Sequence, residues 1–170
     1  MTLRRKRWAV VLPLCALVLS AQGPCWDGSI VVHTFDLQSC PASTFALPDT
    51  LSDPQQRFAA RGTEPYFCRG FTTYESGQRS LGMRLRRGAQ CTLDIGYRNL
   101  VPGGGNRERL RQVEDEQRRQ AEYVAGVVAR RAGIAAVAPA QPMRFERLEH
   151  LHAWCERTSD SAGASGTNRR

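Results

Sequence analysis

Three strand-like runs between residues 66 and 97 constrain this chain more than any other feature. Tyr66 to Tyr74, Gln78 to Leu85 and Ala89 to Tyr97 combine aromatic, β-branched and alternating apolar residues. Glu75-Ser76-Gly77 and Arg86-Arg87-Gly88 separate them. Each connection ends in glycine, the residue that a type I turn plus bulge needs in the left-handed region. Loop length fixes register, so a three-stranded antiparallel meander is expected. It sets Leu85 opposite Phe67, Met83 opposite Arg69 and Leu81 opposite Phe71, and on the other side Met83 opposite Cys91 and Leu81 opposite Leu93. Phe67, Phe71, Leu81, Met83, Leu85, Cys91, Leu93 and Ile95 then share one buried face, with Arg69 reaching for its edge.

Around this meander the other elements are sparser. Ser29 to Leu37 reads as a further strand, with Val31, His33, Phe35 and Leu37 on one face, and Cys40 to Pro48 reads as loop. A short helix is expected after Ser52 or Asp53 as cap, with Pro54 in its first turn, Phe58 as its anchor and Gly62 as its stop. Pro102-Gly-Gly-Gly105 breaks the chain, and Arg107 to Ala132 then reads as one long helix ended by Gly133. Leu110, Val113, Gln117, Ala121, Val124 and Val128 form its apolar-leaning stripe, while its first half pairs opposite charges at four-residue spacing. Residues 134–141 suit a short strand or loop, and Met143 to Glu156 a second helix through Phe145, Leu148, Leu151 and Cys155. The expected fold is α+β: an antiparallel sheet of three to four strands, the meander 66–97 within it, packed by the one long helix 107–132 and reinforced by disulfides. Residues 22–158 make this domain, and 159–170, small and polar, make a disordered tail.

The oxidising compartment that disulfides require is announced at the N-terminus. Arg4-Arg5-Lys6-Arg7, an apolar run from Trp8 to Ser20 and the small residues Ser20, Ala21 and Gly23 have the order of a secretory signal peptide, residues 1–21, cut near Ala21. The run is shorter than the roughly 20 residues a spanning helix needs and contains Pro13; a retained N-terminal anchor is the alternative. Cleavage leaves 149 residues, removes four of the positive charges and lowers the formal charge from +8 to +4. The expected location is secreted or periplasmic. Cys15 leaves with the signal; Cys25, Cys40, Cys68, Cys91 and Cys155 remain, enough for two bridges and one odd thiol. In the expected meander Cys68 and Cys91 lie on outer strands with opposite faces, too far apart to join. Cys68 should therefore pair with Cys25 or Cys40, and Cys91 with Cys155.

Few residues suggest chemistry. No CxxC, GxSxG or P-loop occurs, and nothing calls for a cofactor. His150-Leu-His152 offers a zinc pair on a strand, but on a helix the two rings diverge by about 200°. Cys155 beside them lacks the surroundings of a cysteine nucleophile. Residues 79–98 hold five arginines against Asp94 alone, and Arg84, Arg86, Arg87 and Arg98 form a candidate anion- or partner-binding patch. Solvated edge charge that blocks aggregation is the competing account, and no nucleic-acid motif accompanies the arginines. The expected function is an exported, non-catalytic binding or interaction module, an envelope accessory or inhibitor-like protein with a protein or anionic envelope component as partner. A small secreted hydrolase with a dispersed site is the alternative.

Overall fold

The run Ser29–Leu37 (β1) organises the sheet, because it presents large apolar side chains on both faces: Ile30 and Val32 on one, Phe35 and Leu37 on the other. A strand buried on both faces belongs inside a sheet, away from its edges. The computed structural model describes residues 29–52, 56–62, 67–77, 79–99, 107–139 and 141–159. After β1 come β2 (Thr50–Ser52), β3 (Arg57–Gly62), β4 (Thr72–Ser76), β5 (Arg79–Arg86), β6 (Thr92–Asn99), α1 (Arg107–Arg131), β7 (Ala136–Pro139), β8 (Met143–Phe145) and α2 (Leu148–Ser159). The strands form one antiparallel eight-stranded sheet in the order β2-β3-β4-β5-β6-β1-β7, curled into a half-barrel. One edge of β1 gives eight register pairs to β6, from Ser29 with Asn99 to Asp36 with Thr92. Its other edge is divided between β8, at Ile30 to Val32, and β7, at Phe35 and Leu37.

This corrects the expected fold. The sheet has eight strands, well beyond three or four, and both of its faces are covered, so it is not a small sheet packed by one long helix. On the first face α1 lays Ala121, Val124, Ala125 and Val128 over Phe35, Leu81, Met83, Leu93, Ile95 and Tyr97. On the second, α2 and residues 67–71 cover Ile30 and Val32 with Phe67, Phe71, Leu151 and Trp154. The short helix expected before Gly62 is strand β3. Phe58 points into the core while Arg57 and Ala59 face out, a two-residue period that pairs with β2 and β4. Residues 143–145 are strand, and the second helix begins only at Leu148.

The meander exists in a different register, and the turns explain why. Gly77 (φ 59°) opens a two-residue connection between Ser76 and Arg79, as primed hairpin turns require. Met83 therefore faces Thr72, and Leu81 faces Tyr74. This is a three-residue shift, and an odd shift exchanges faces. Phe67 and Phe71 accordingly leave the expected face and pack on the opposite side of the sheet. The connection from β5 to β6 spans residues 87–91, so Leu85 faces Leu93, Met83 faces Ile95 and Leu81 faces Tyr97. That shift is even, and Leu81, Met83, Leu93 and Ile95 keep their common face.

Helix α1 ends as expected at Gly133. The Gly133 N–H donates to Arg130 O at 3.1 Å and the Ile134 N–H to Ala129 O at 2.9 Å, with Gly133 at φ 71°. These are the two bonds of a Schellman cap. Arg79 Nη2 donates to Gln120 Oε1 at 2.5 Å, and Arg144 pairs with Glu114, so α1 is tied to β5 and β8 by polar contacts as well as packing. Among the described residues no helix is long and apolar enough to cross a membrane. The expected signal (1–21), Cys15, Cys25 and residues 160–170 of the expected tail lie outside the described residues.

Candidate functional site

The end of the sheet where β1 finishes and β6 begins carries a groove of about 360 Å³, lined by Asp36, Leu37, Gln38, Ser39, Cys40, Ala89, Gln90 and Cys91. Two loops build it, and both are braced. The Leu37 N–H donates to Cys91 O at 2.9 Å, and Cys40 and Cys91 are disulfide-bonded with Cα atoms 5.2 Å apart. Beyond Cys40 the segment 41–48 runs as a strap across the first core face. Arg87 donates to Pro41 O at 2.8 Å and Phe45 O at 3.0 Å, and Tyr74 Oη donates to Pro48 O at 2.7 Å. Burial of that phenol pushes its pKa up to about 12, so it stays a donor. The groove therefore consists of loops on a rigid scaffold, the usual seat of recognition.

The second disulfide joins Cys68 to Cys155, Cα atoms 6.3 Å apart. Both observed bonds correct the expected pairings, Cys68 with an N-terminal cysteine and Cys91 with Cys155. Cys68 sits in the segment that crosses the second face, where α2 lands. Cys91 sits in the loop beside the end of β1. Cys155 is thus a bridge sulfur and carries no free thiol.

Next to this second bridge lies a charged cluster. Asp94, fully buried on β6, accepts from Thr34 Oγ1 at 2.8 Å, from Arg84 Nε and Nη2 at 3.1 and 3.0 Å, and from Arg86 Nε and Nη2 at 2.7 and 3.0 Å. Arg84 also reaches Thr158 Oγ1 at 2.9 Å and Cys155 O at 3.5 Å near the C-terminal end of α2. Its guanidinium lies between the Phe71 ring (5.0 Å) and the Trp154 ring (4.7 Å), while Arg86 covers Trp154 at 5.6 Å. Burial lowers the Arg84 pKa and Asp94 opposes the shift; an arginine remains protonated throughout.

Of the four arginines expected to form a patch, Arg84 and Arg86 converge on Asp94, with Arg84 buried and the Arg86 side chain 24% exposed. Arg87 turns to the opposite face and holds the strap. Arg98 is four residues from Asp94 along β6, opposite Ile30. His150 and His152 are exposed on α2, on diverging sides of the helix. Among the described residues no group of three or more His, Cys, Asp or Glu is placed to hold a metal. Asp94, the centre of the cluster, and Asp36, part of the groove, are not among the site residues expected from sequence. The signal was present in the spacing: with the five-residue connection counted correctly, Arg84 falls directly opposite Asp94. No protein-family model matches the chain, and no curated protein and no solved structure matches it.

Proposed function

We infer that this chain is an exported, non-catalytic binding module that meets its partner at the groove between residues 36–40 and 89–91. The observation that carries this reading is the bracing of that groove by the Cys40–Cys91 bond and the Arg87 contacts. Preorganised loops lose little conformational freedom on binding, which is where association is otherwise expensive. Export is supported by the signal-like order of residues 1–21 and by two disulfides, which persist in oxidising compartments. The partner is a protein, or an anionic envelope component drawn by the half-buried Arg86, Arg87 and Arg98, which lie outside the Asp36-lined groove. Immobilised protein should retain a partner from the envelope or medium of the producing cell. A Gln38→Trp/Gln90→Trp variant, which fills the groove without changing its charge, should lose it. Identical capture by both proteins would contradict the reading, and insensitivity to salt together with Arg86→Gln would remove the charge component.

A further inference from the structure

The two disulfides differ in their surroundings. Cys68 and Cys155 are 5% and 3% exposed, packed with Phe71 and Trp154 where α2 meets the second face of the sheet. Cys91 is 2% exposed, but its partner Cys40 is an exposed residue, and both line the 360 Å³ groove. Thiol–disulfide exchange requires a thiolate to reach one sulfur along the S–S axis, so access decides which bond reacts. Among the described residues Asp36 is the one charged residue lining the approach. Its carboxylate repels anionic thiols and favours neutral or cationic ones.

We propose that Cys40–Cys91 is a thiol-exchange site, entered through the groove by small thiols that carry no net negative charge beyond the attacking sulfur. The incoming thiolate attacks Cys40 Sγ. A new S–S bond forms to Cys40, the Cys40–Cys91 bond breaks, and its electron pair leaves on Cys91 Sγ, which takes up a proton. With a dithiol, the second sulfur then displaces Cys40, so two protein thiols are produced and the dithiol becomes a disulfide. Opening the bond removes the covalent tie of residues 38–48, while the Arg87 and Tyr74 contacts and the packing of Phe45 and Leu47 persist. The exchange site thus releases the groove without dismantling the sheet. It stands on access and charge alone and does not depend on the groove taking a macromolecular partner.

The test uses the folded protein, with any free thiol first blocked by alkylation. It is exposed to cysteamine, 2-mercaptoethanol or glutathione at matched thiolate concentration, quenched by a second alkylating reagent and mapped by peptide mass. The expected result is a mixed disulfide on Cys40 and an alkylated Cys91, formed about tenfold or more faster than any opening of Cys68–Cys155. Asp36→Asn should lower the cysteamine-to-glutathione rate ratio by about twofold or more. Opening of Cys68–Cys155 first or simultaneously, a mixed disulfide mainly on Cys91, or an unchanged rate ratio in Asp36→Asn would each overturn the proposal.

Discussion

Phe67 lies flat on the sheet because Gly82 and Gly96, register partners on β5 and β6, leave it a seat without side chains. A Cβ at Gly82 would stand 2.6 Å from Phe67 Cδ1, and one at Gly96 2.7 Å from Phe67 Cε1. Gly82→Ala or Gly96→Ala should therefore destabilise by about 1–3 kcal/mol, the usual cost of overpacking. Adding Phe67→Leu should recover part of the loss, which a double-mutant cycle in urea would measure. His33 makes a second residue-scale prediction. It is 1% exposed, neither ring nitrogen has a hydrogen-bond partner among the described residues, and burial, with Arg118 of α1 adding to it, lowers its pKa to about 4. The unfolded chain protonates this imidazole near 6.5 and the folded one near 4. Between those values the unfolded state binds more protons, so stability falls as the pH drops from 6.5 to 4, by about 3 kcal/mol in total. Above that window His33 contributes no pH dependence. Denaturant titrations across this range should show the slope in wild type and its loss in His33→Leu.

At the level of elements, α2 is held over the sheet by the Cys68–Cys155 bond, by Arg84 and Arg86 against the Trp154 ring, by the Arg84 hydrogen bonds to Thr158 Oγ1 and Cys155 O, and by the packing of Leu151. Asp94→Asn leaves two guanidinium groups sharing a neutral acceptor, with Arg84 buried. Breaking a buried pair in this way costs about 3–5 kcal/mol. The variant should keep Cys68–Cys155 while α2 amides gain hydrogen-exchange rate ahead of those in β5 and β6; uniform acceleration would place the cluster's role elsewhere. Elements also show what could be read from the sequence. α1 and its Gly133 stop were legible because a 25-residue helix carries its own periodicity and cap. The strands β5 and β6 were legible by alternation, but their partners were not, since register depends on connection length and Gly77 serves a two-residue turn as well as a three-residue one. The misplaced β4–β5 turn sets Phe67 and Phe71 on the wrong face, and the β5–β6 connection, five residues long and not three, misplaces Cys91. Strand β3 escaped notice because Pro54 and Gly62 imitate helix punctuation, whereas the burial of Phe58 against neighbouring strands is a tertiary fact.

The described residues form a curled sheet with a helix on each face, and its two edges are managed differently. β2 is only three residues long, and the four-residue β7 ends in Pro139, which has no N–H to offer, devices that discourage strand addition. The disulfides close loops with sequence separations of 51 and 87 residues. By loop-closure entropy each is worth about 4–5 kcal/mol. Full reduction should therefore lower the urea midpoint far more than selective opening of Cys40–Cys91, because Cys68–Cys155 closes the longer loop and also holds α2 over the second face. Mapping the disulfides without reduction reports on a sheet covered on both faces, with one bridge bracing the groove and the other pinning α2. Peptides linked through Cys40 and Cys91, and separately through Cys68 and Cys155, are predicted. A Cys91–Cys155 link, or Cys68 joined to Cys40 or Cys25, would contradict the register, the covered second face and the groove together.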